Sequence, residues 1–201
     1  MKKKIDNVKR IKGILVTICL FFVSLTGCGS SNEITTNTLS IGKGGSITQT
    51  IVEDFSADTY DIEEFNQMNQ QEIEEYNTQA GAENISVEKS QTDGNTITVV
   101  IKYQSANDYY GFNHEALYVG TIDQAKTAGY DMSIPLKSVK DESVLTKEEI
   151  EENGDRYVAI VTEPVDVRTF GTILYISDGV TYEDKKLVTV SGESTAYIVF
   201  K

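Results

Sequence analysis

The chain has 201 residues, with 18 Lys and Arg against 31 Asp and Glu, one His, two Cys, two Pro and no Trp, for a formal net charge of −13. That length suits one domain with short extensions, and 39% hydrophobic with 24% charged residues is the composition of a folded globular chain rather than a disordered one. A single histidine excludes a multi-histidine metal centre, and the acidic balance disfavours nucleic acid, whose phosphates need clustered Lys and Arg.

The first element in chain order is a leader. Lys2, Lys3, Lys4, Lys9, Arg10 and Lys12 stand against one acid, Asp6, and residues 13–23 form an uncharged apolar run. That run is shorter than the ~20 apolar residues a membrane-spanning helix needs, so the pattern predicts a secretory signal over residues 1–27. It closes on Leu25, Thr26, Gly27 and Cys28. These four residues resemble the lipobox of bacterial lipoproteins. The resemblance implies cleavage before Cys28, a diacylglycerol on its thiol, and residence on the outer face of the cytoplasmic membrane. Two or more acyl chains hold a protein stably where one holds it only marginally. Cys19 would leave with the signal and Cys28 would carry the lipid, so no thiol remains for a disulfide, a zinc site or a nucleophile.

Residues 28–38 are polar and aperiodic and predict a tether, with a single domain over 39–201. The domain opens with Leu39 and Ile41, a turn of Gly42, Lys43, Gly44, Gly45 and Ser46, and then alternating Ile47, Gln49, Ile51, Glu53 and Phe55, a hairpin signature. A phosphate-cradling loop would need a helix directly after the glycines, and a strand pattern follows instead.

The strongest helical periodicity covers residues 61–80. Asp61 and Glu64 suit a capping box, Gly81 suits the stop, and Ile62, Phe65, Met68, Ile73, Tyr76 and Ala80 fall on one face, which Asn69 interrupts. Further on, Asp93 and Gly94 mark a hairpin between strands at 85–88 and 97–103, and four more strands are expected at 157–161, 172–176, 186–190 and 196–200. Short helices are expected at 122–128 and at 147–153, the latter with Thr146 and Glu149 as a capping box. Together these elements predict an α+β fold: an antiparallel β-sheet packed against one long amphipathic helix, with short helical insertions.

Signals of chemistry are sparse. His114 stands in a segment read as a loop, and a catalytic His needs a nucleophile and an orienting carboxylate brought to it by the fold. Ser86 and Lys89 match an S-x-x-K spacing, but a regular strand would aim them at opposite faces and the companion motifs are missing. No calcium loop is present, and thirty-one acids are too many for sequence to single out a catalytic pair. The segment from Tyr103 to Tyr130 is distinctive in interleaving Tyr109, Tyr110, Phe112 and Tyr118 with Asn107, Asp108, Asn113 and Glu115. Rings beside amides and carboxylates suit a peptide or saccharide ligand, so Tyr109, Tyr110, Phe112 and His114 are the candidate binding residues.

The order of hairpin, long helix and several strands behind a lipobox is similar to small uncharacterised lipoproteins of Gram-positive bacteria. That resemblance implies one functional residue, Cys28; from the residues themselves no cofactor and no metal is expected. The expectation is a non-enzymatic binding or accessory module at the cell envelope. Its partners are the membrane, through the anchor, and an envelope protein, peptide or saccharide. The alternative is an envelope hydrolase acting on a cell-wall or carbohydrate substrate.

Overall fold

A computed structural model describes residues 34–54 and 62–201. The leader, Cys28, the first part of the tether, Phe55 and the capping residue Asp61 lie outside the described residues.

Among the described residues, twelve strands form two sheets. They are β1 (Thr38–Ile41), β2 (Ile47–Asp54), β3 (Ile85–Asp93), β4 (Thr96–Tyr103), β5 (Leu117–Thr121), β6 (Lys137–Ser138), β7 (Tyr157–Val161), β8 (Val165–Arg168), β9 (Ile173–Ile176), β10 (Val180–Asp184), β11 (Leu187–Val190) and β12 (Ala196–Phe200). One sheet runs β10-β11-β8-β1-β2-β4-β3 and the other β5-β7-β12-β9-β6. Four helices are described: α1 (Ile62–Ala80), α2 (Ala106–Asn113), α3 (Ile122–Thr127) and α4 (Lys147–Glu152).

The expected α+β layout, one antiparallel sheet packed against a long helix, is corrected by this arrangement. The fold is mainly β, and its principal core lies between the two sheets. Leu39, Ile47, Val99 and Val167 of the first sheet share that core with Ala159, Val161, Ile198 and Phe200 of the second. The first sheet is also mixed rather than purely antiparallel, since β1 pairs in parallel with β8, Leu39 opposite Val167.

The 19-residue helix α1 is present, but it lies beside the outermost strand, β3. Ser90 of β3 donates to Asn66 (2.9 Å), and at the other end Asn77 accepts from the Asn84 and Ile85 amides (2.9 and 3.0 Å) and donates to the Ile85 carbonyl (2.8 Å). Asn69 and Ile73 are buried, Phe65, Met68 and Tyr76 are half-buried, and Ala80 is exposed. Asn69, the polar residue that interrupts the apolar stripe, lies inward with it, and the contact face is narrower than the periodicity suggests. Gly81 ends the helix in the left-handed region at φ +70°, which a side chain rarely adopts.

A second core explains why β7 and β12 read as unbroken apolar runs. Ala159, Val161, Ile198 and Phe200 face the first sheet, whereas Val158, Ile160, Tyr197 and Val199 face the other way, onto Ile122 and Ala125 of α3, Ile150 of α4, and Met132, Leu136 and Leu145. A sheet covered on both faces has no solvated side to supply polar residues. The helices α3 and α4 both begin with capping boxes, Thr121 with Gln124 and Thr146 with Glu149.

The hairpins β1–β2 and β3–β4 form where the turn chemistry places them, with Ile41 opposite Ile47 and Asp93 opposite Thr96. A bulge between Val87 and Lys89 alters the alternation of β3: Ser86 pairs with Lys102 and Lys89 with Val100. Lys102 and Val100 share a face, so Ser86 and Lys89 do too, contrary to the expectation for a regular strand. Both side chains are exposed on an edge strand, and no hydrogen bond joins them.

Candidate functional site

The segment expected to be a loop around His114 is the end of a helix. Ser105 caps α2, its hydroxyl accepting from the Asp108 amide (3.2 Å) and donating to the Asp108 carboxylate (2.5 Å). His114 closes the helix in the left-handed region at φ 61°, its amide donating to the Tyr110 carbonyl (2.8 Å). The imidazole is exposed and makes no hydrogen bond with a described residue.

Helical geometry separates the four candidate binding residues. Tyr109 points inward and is 0% exposed, Tyr110 points outward and is 55% exposed, Phe112 is half-buried and His114 is exposed. The Tyr109 ring meets Tyr103 edge-on at 5.1 Å, and Phe112 lies 6.1 Å from both Tyr76 and Tyr103. Three of the six aromatic residues in this segment therefore build the joint between α1, α2 and β4, leaving Tyr110 and His114 as the exposed members of the expected patch.

Behind that joint the structure assembles a polar chain which periodicity did not reveal. The Tyr103 hydroxyl donates to Gln49 of β2 (2.7 Å) and accepts from Asn113 (3.1 Å), which also donates to the Tyr109 carbonyl (3.1 Å). The Tyr109 hydroxyl donates to the carboxylate of Glu163, in the turn between β7 and β8. Glu163 faces Glu115 because β5 pairs with β7, Leu117 opposite Val161, and continuing that register past the strand ends sets the two acids opposite each other. Within this turn Thr162 still donates to the Ala116 carbonyl (3.4 Å).

Burial pushes the Glu163 carboxyl up from 4.5 to about 7, the negative charge of Glu115 adds to the rise, and the Tyr109 hydrogen bond opposes it. Burial raises the Tyr109 phenol well above its ordinary range, followed by the charge and hydrogen bond of Glu163, so the phenol stays protonated as a donor. The site thus holds a carboxyl that can gain or release a proton near neutral pH, fixed by a core tyrosine.

A second polar node stabilises the helix joint. Asp108 is buried and accepts from Tyr76 (3.2 Å), Asn84 (2.9 Å) and Ser105, so α1, the start of β3 and α2 converge on one carboxylate.

No group of three His, Cys, Asp or Glu side chains with metal-binding geometry occurs among the described residues, and no described helix is long and apolar enough to cross a membrane. Comparison of the chain with protein-family models, with curated proteins and with solved structures gives no match.

Proposed function

We propose that this chain is a lipid-anchored extracytoplasmic protein of the bacterial envelope, acylated at Cys28, and that its β-rich body is a non-enzymatic binding or accessory module. The observation that carries the reading is the leader: a basic start, an apolar run over residues 13–23, and Leu25, Thr26, Gly27 and Cys28 at its end. The placement of the domain supports it, since β1 begins at Thr38, ten residues after Cys28, behind a polar stretch that can act as tether. The binding role is supported by Tyr110 and His114, both exposed at the end of α2 on a body tied together by Asp108 and Glu163.

Fractionation of cells tests the address. The wild-type chain is expected in the membrane fraction, and Cys28→Ser in the soluble extracytoplasmic fraction. A pull-down from native envelopes, comparing wild type with Tyr110→Ala, tests the binding role: a species retained by the first and lost from the second supports it, and identical profiles count against it.

A specific observation favours a second reading, that of an envelope hydrolase on a cell-wall or carbohydrate substrate. Glu163, with its carboxyl raised to about 7 and facing Glu115, has the proton affinity of a general acid at neutral pH. In that reading Glu163→Gln lowers hydrolysis of purified cell wall by about 100-fold or more, as loss of a general acid does. A wild-type chain that releases no product removes the reading.

A further inference from the structure

The first sheet has one face turned away from the core. Leu39, Ile47, Val99 and Val167 point between the sheets, so the residues alternating with them point outward. The register lines these up in rows. Ser40 of β1 pairs with Arg168 of β8 on one side and with Thr48 of β2 on the other, Thr48 pairs with Lys102 of β4, and Lys102 pairs with Ser86 of β3. Residues directly opposite in a ladder share a face, so one row across five strands reads Arg168, Ser40, Thr48, Lys102, Ser86. None of them belongs to a hydrophobic cluster. The bulge after Val87 brings Lys89 to the same face, opposite Val100 and diagonal to Lys102.

In a chain of net charge −13 this row is cationic. Lys89, Lys102 and Arg168 form no ion pair or side-chain hydrogen bond with a described residue. Ser86 and Lys89 are exposed, and the other four are half-buried. The acids of the face lie to its sides. Asp166 stands two residues before Arg168, and its two oxygens accept from Thr36 (2.7 Å) and Thr189 (2.6 Å). Asp54 and Asp93 both pair with Thr96, at the far end of the face. Asp93 is four residues past Lys89, roughly 13 Å along the strand, which exceeds the Debye length of about 8 Å at physiological salt. Glu88, the extra residue of the bulge, shares with Val87 the place opposite Ile101, on the core side.

We propose that this face binds a phosphodiester-linked polyol chain, laid along the row with its phosphates on Lys89, Lys102 and Arg168 and its hydroxyls on Ser40, Thr48 and Ser86. Arg168 and Lys102 stand three strands apart, about 14 Å at the usual inter-strand spacing, so one phosphate cannot reach both and a repeating anion can. The Ser and Thr hydroxyls between them both donate and accept, as polyol hydroxyls require. A single-stranded nucleic acid would need rings on which its bases stack, and this face of the five strands carries none. A flat anionic bilayer would meet Asp54, Asp93 and Asp166 together with the cations, whereas a thin chain follows the row alone. The proposal names a partner class for the binding-module reading and rests on its extracytoplasmic address.

Fluorescence anisotropy of labelled poly(glycerol phosphate), titrated with the full chain in neutral detergent, provides the test. Three single-strand phosphate contacts give a salt slope of about −2, so binding is expected to weaken about tenfold or more from about 50 to about 200 mM salt. Lys102→Gln is expected to weaken binding about fivefold or more and to flatten the slope by about one third, with an unchanged circular dichroism spectrum. Lys89→Gln, at an exposed site, is expected to do the same and reports on binding even where Lys102→Gln perturbs the sheet. Lys126→Gln, on α3, is expected to bind as wild type. The proposal is overturned by absence of binding at the lower salt, by a folded Lys89→Gln that binds as wild type, or by an oligothymidylate of equal charge or phosphatidylglycerol micelles competing as well as unlabelled polymer. Fractionation and the envelope pull-down are read separately, so a membrane-bound chain that retains an envelope species but ignores the polymer would remove this proposal and leave the binding-module reading standing.

Discussion

Tyr109 of α2 donates a hydrogen bond to Glu163, in the turn between β7 of one sheet and β8 of the other, so a single phenol ties the helix to the place where the chain passes between sheets. Because the phenol is fully buried and the carboxyl half-buried, this bond forms where water competes poorly for either group.

Stability should fall as pH rises through neutrality. The folded-state value of Glu163, about 7, lies above its ordinary 4.5, so its contribution is complete below the ordinary value and is lost as pH rises through 7. Urea unfolding at pH 5 and pH 9 should show wild type losing about 2 kcal/mol that Glu163→Gln does not lose, after allowing for solvent at a half-buried carboxyl. Parallel losses in the two proteins would show that Glu163 is not the group responsible.

Tyr109→Phe removes the donor and keeps the ring. It should destabilise the fold by about 1–3 kcal/mol at pH 8, since a half-buried carboxylate loses its bond. The Glu163 carboxyl should also titrate at higher pH than in wild type, because the lost bond favoured the ionised form. Carboxyl-carbon NMR titration reads the shift, and an unchanged or lower value would contradict the assignment.

Asp108→Ala should cost about 2–3 kcal/mol, because it leaves Tyr76 and Asn84 without their acceptor and removes the partner of the Ser105 cap. Hydrogen exchange should show faster opening of α1 and α2 than of β7 and β12, whose residues are buried on both sheet faces. Uniform loss of protection would mean that the node carries no local role.

Structure that follows from neighbours in sequence is legible in it. Gly42 to Ser46 and Asp93 with Gly94 turn the chain, the flanking residues alternate, and Thr146 with Glu149 caps a helix, all within a few residues of each other. Structure set by distant partners is not. The run of Tyr109, Tyr110, Gly111 and Phe112 has weak helix formers and reads as loop or strand, yet Ser105, Asp108 and the packing of Tyr103 make it α2. The second sheet was invisible as a sheet partner because β7 and β12 bury both faces, which erases alternation. The helix α1 has the periodicity of a principal packing element, but a sheet offers a larger apolar surface to the core than one helix does, and α1 is left beside β3. Glu163 could not be singled out among the acids, since its partner Tyr109 and its neighbour Glu115 are set only by the pairing of β5 with β7.

The address of the chain determines what its surfaces can meet, and one measurement reads it directly. Mass spectrometry of the protein extracted from membranes should find an N-terminal peptide beginning at Cys28 and carrying a diacylglycerol on sulfur. A chain retaining residues 1–27, or one whose Cys28 is a free thiol, would contradict the account.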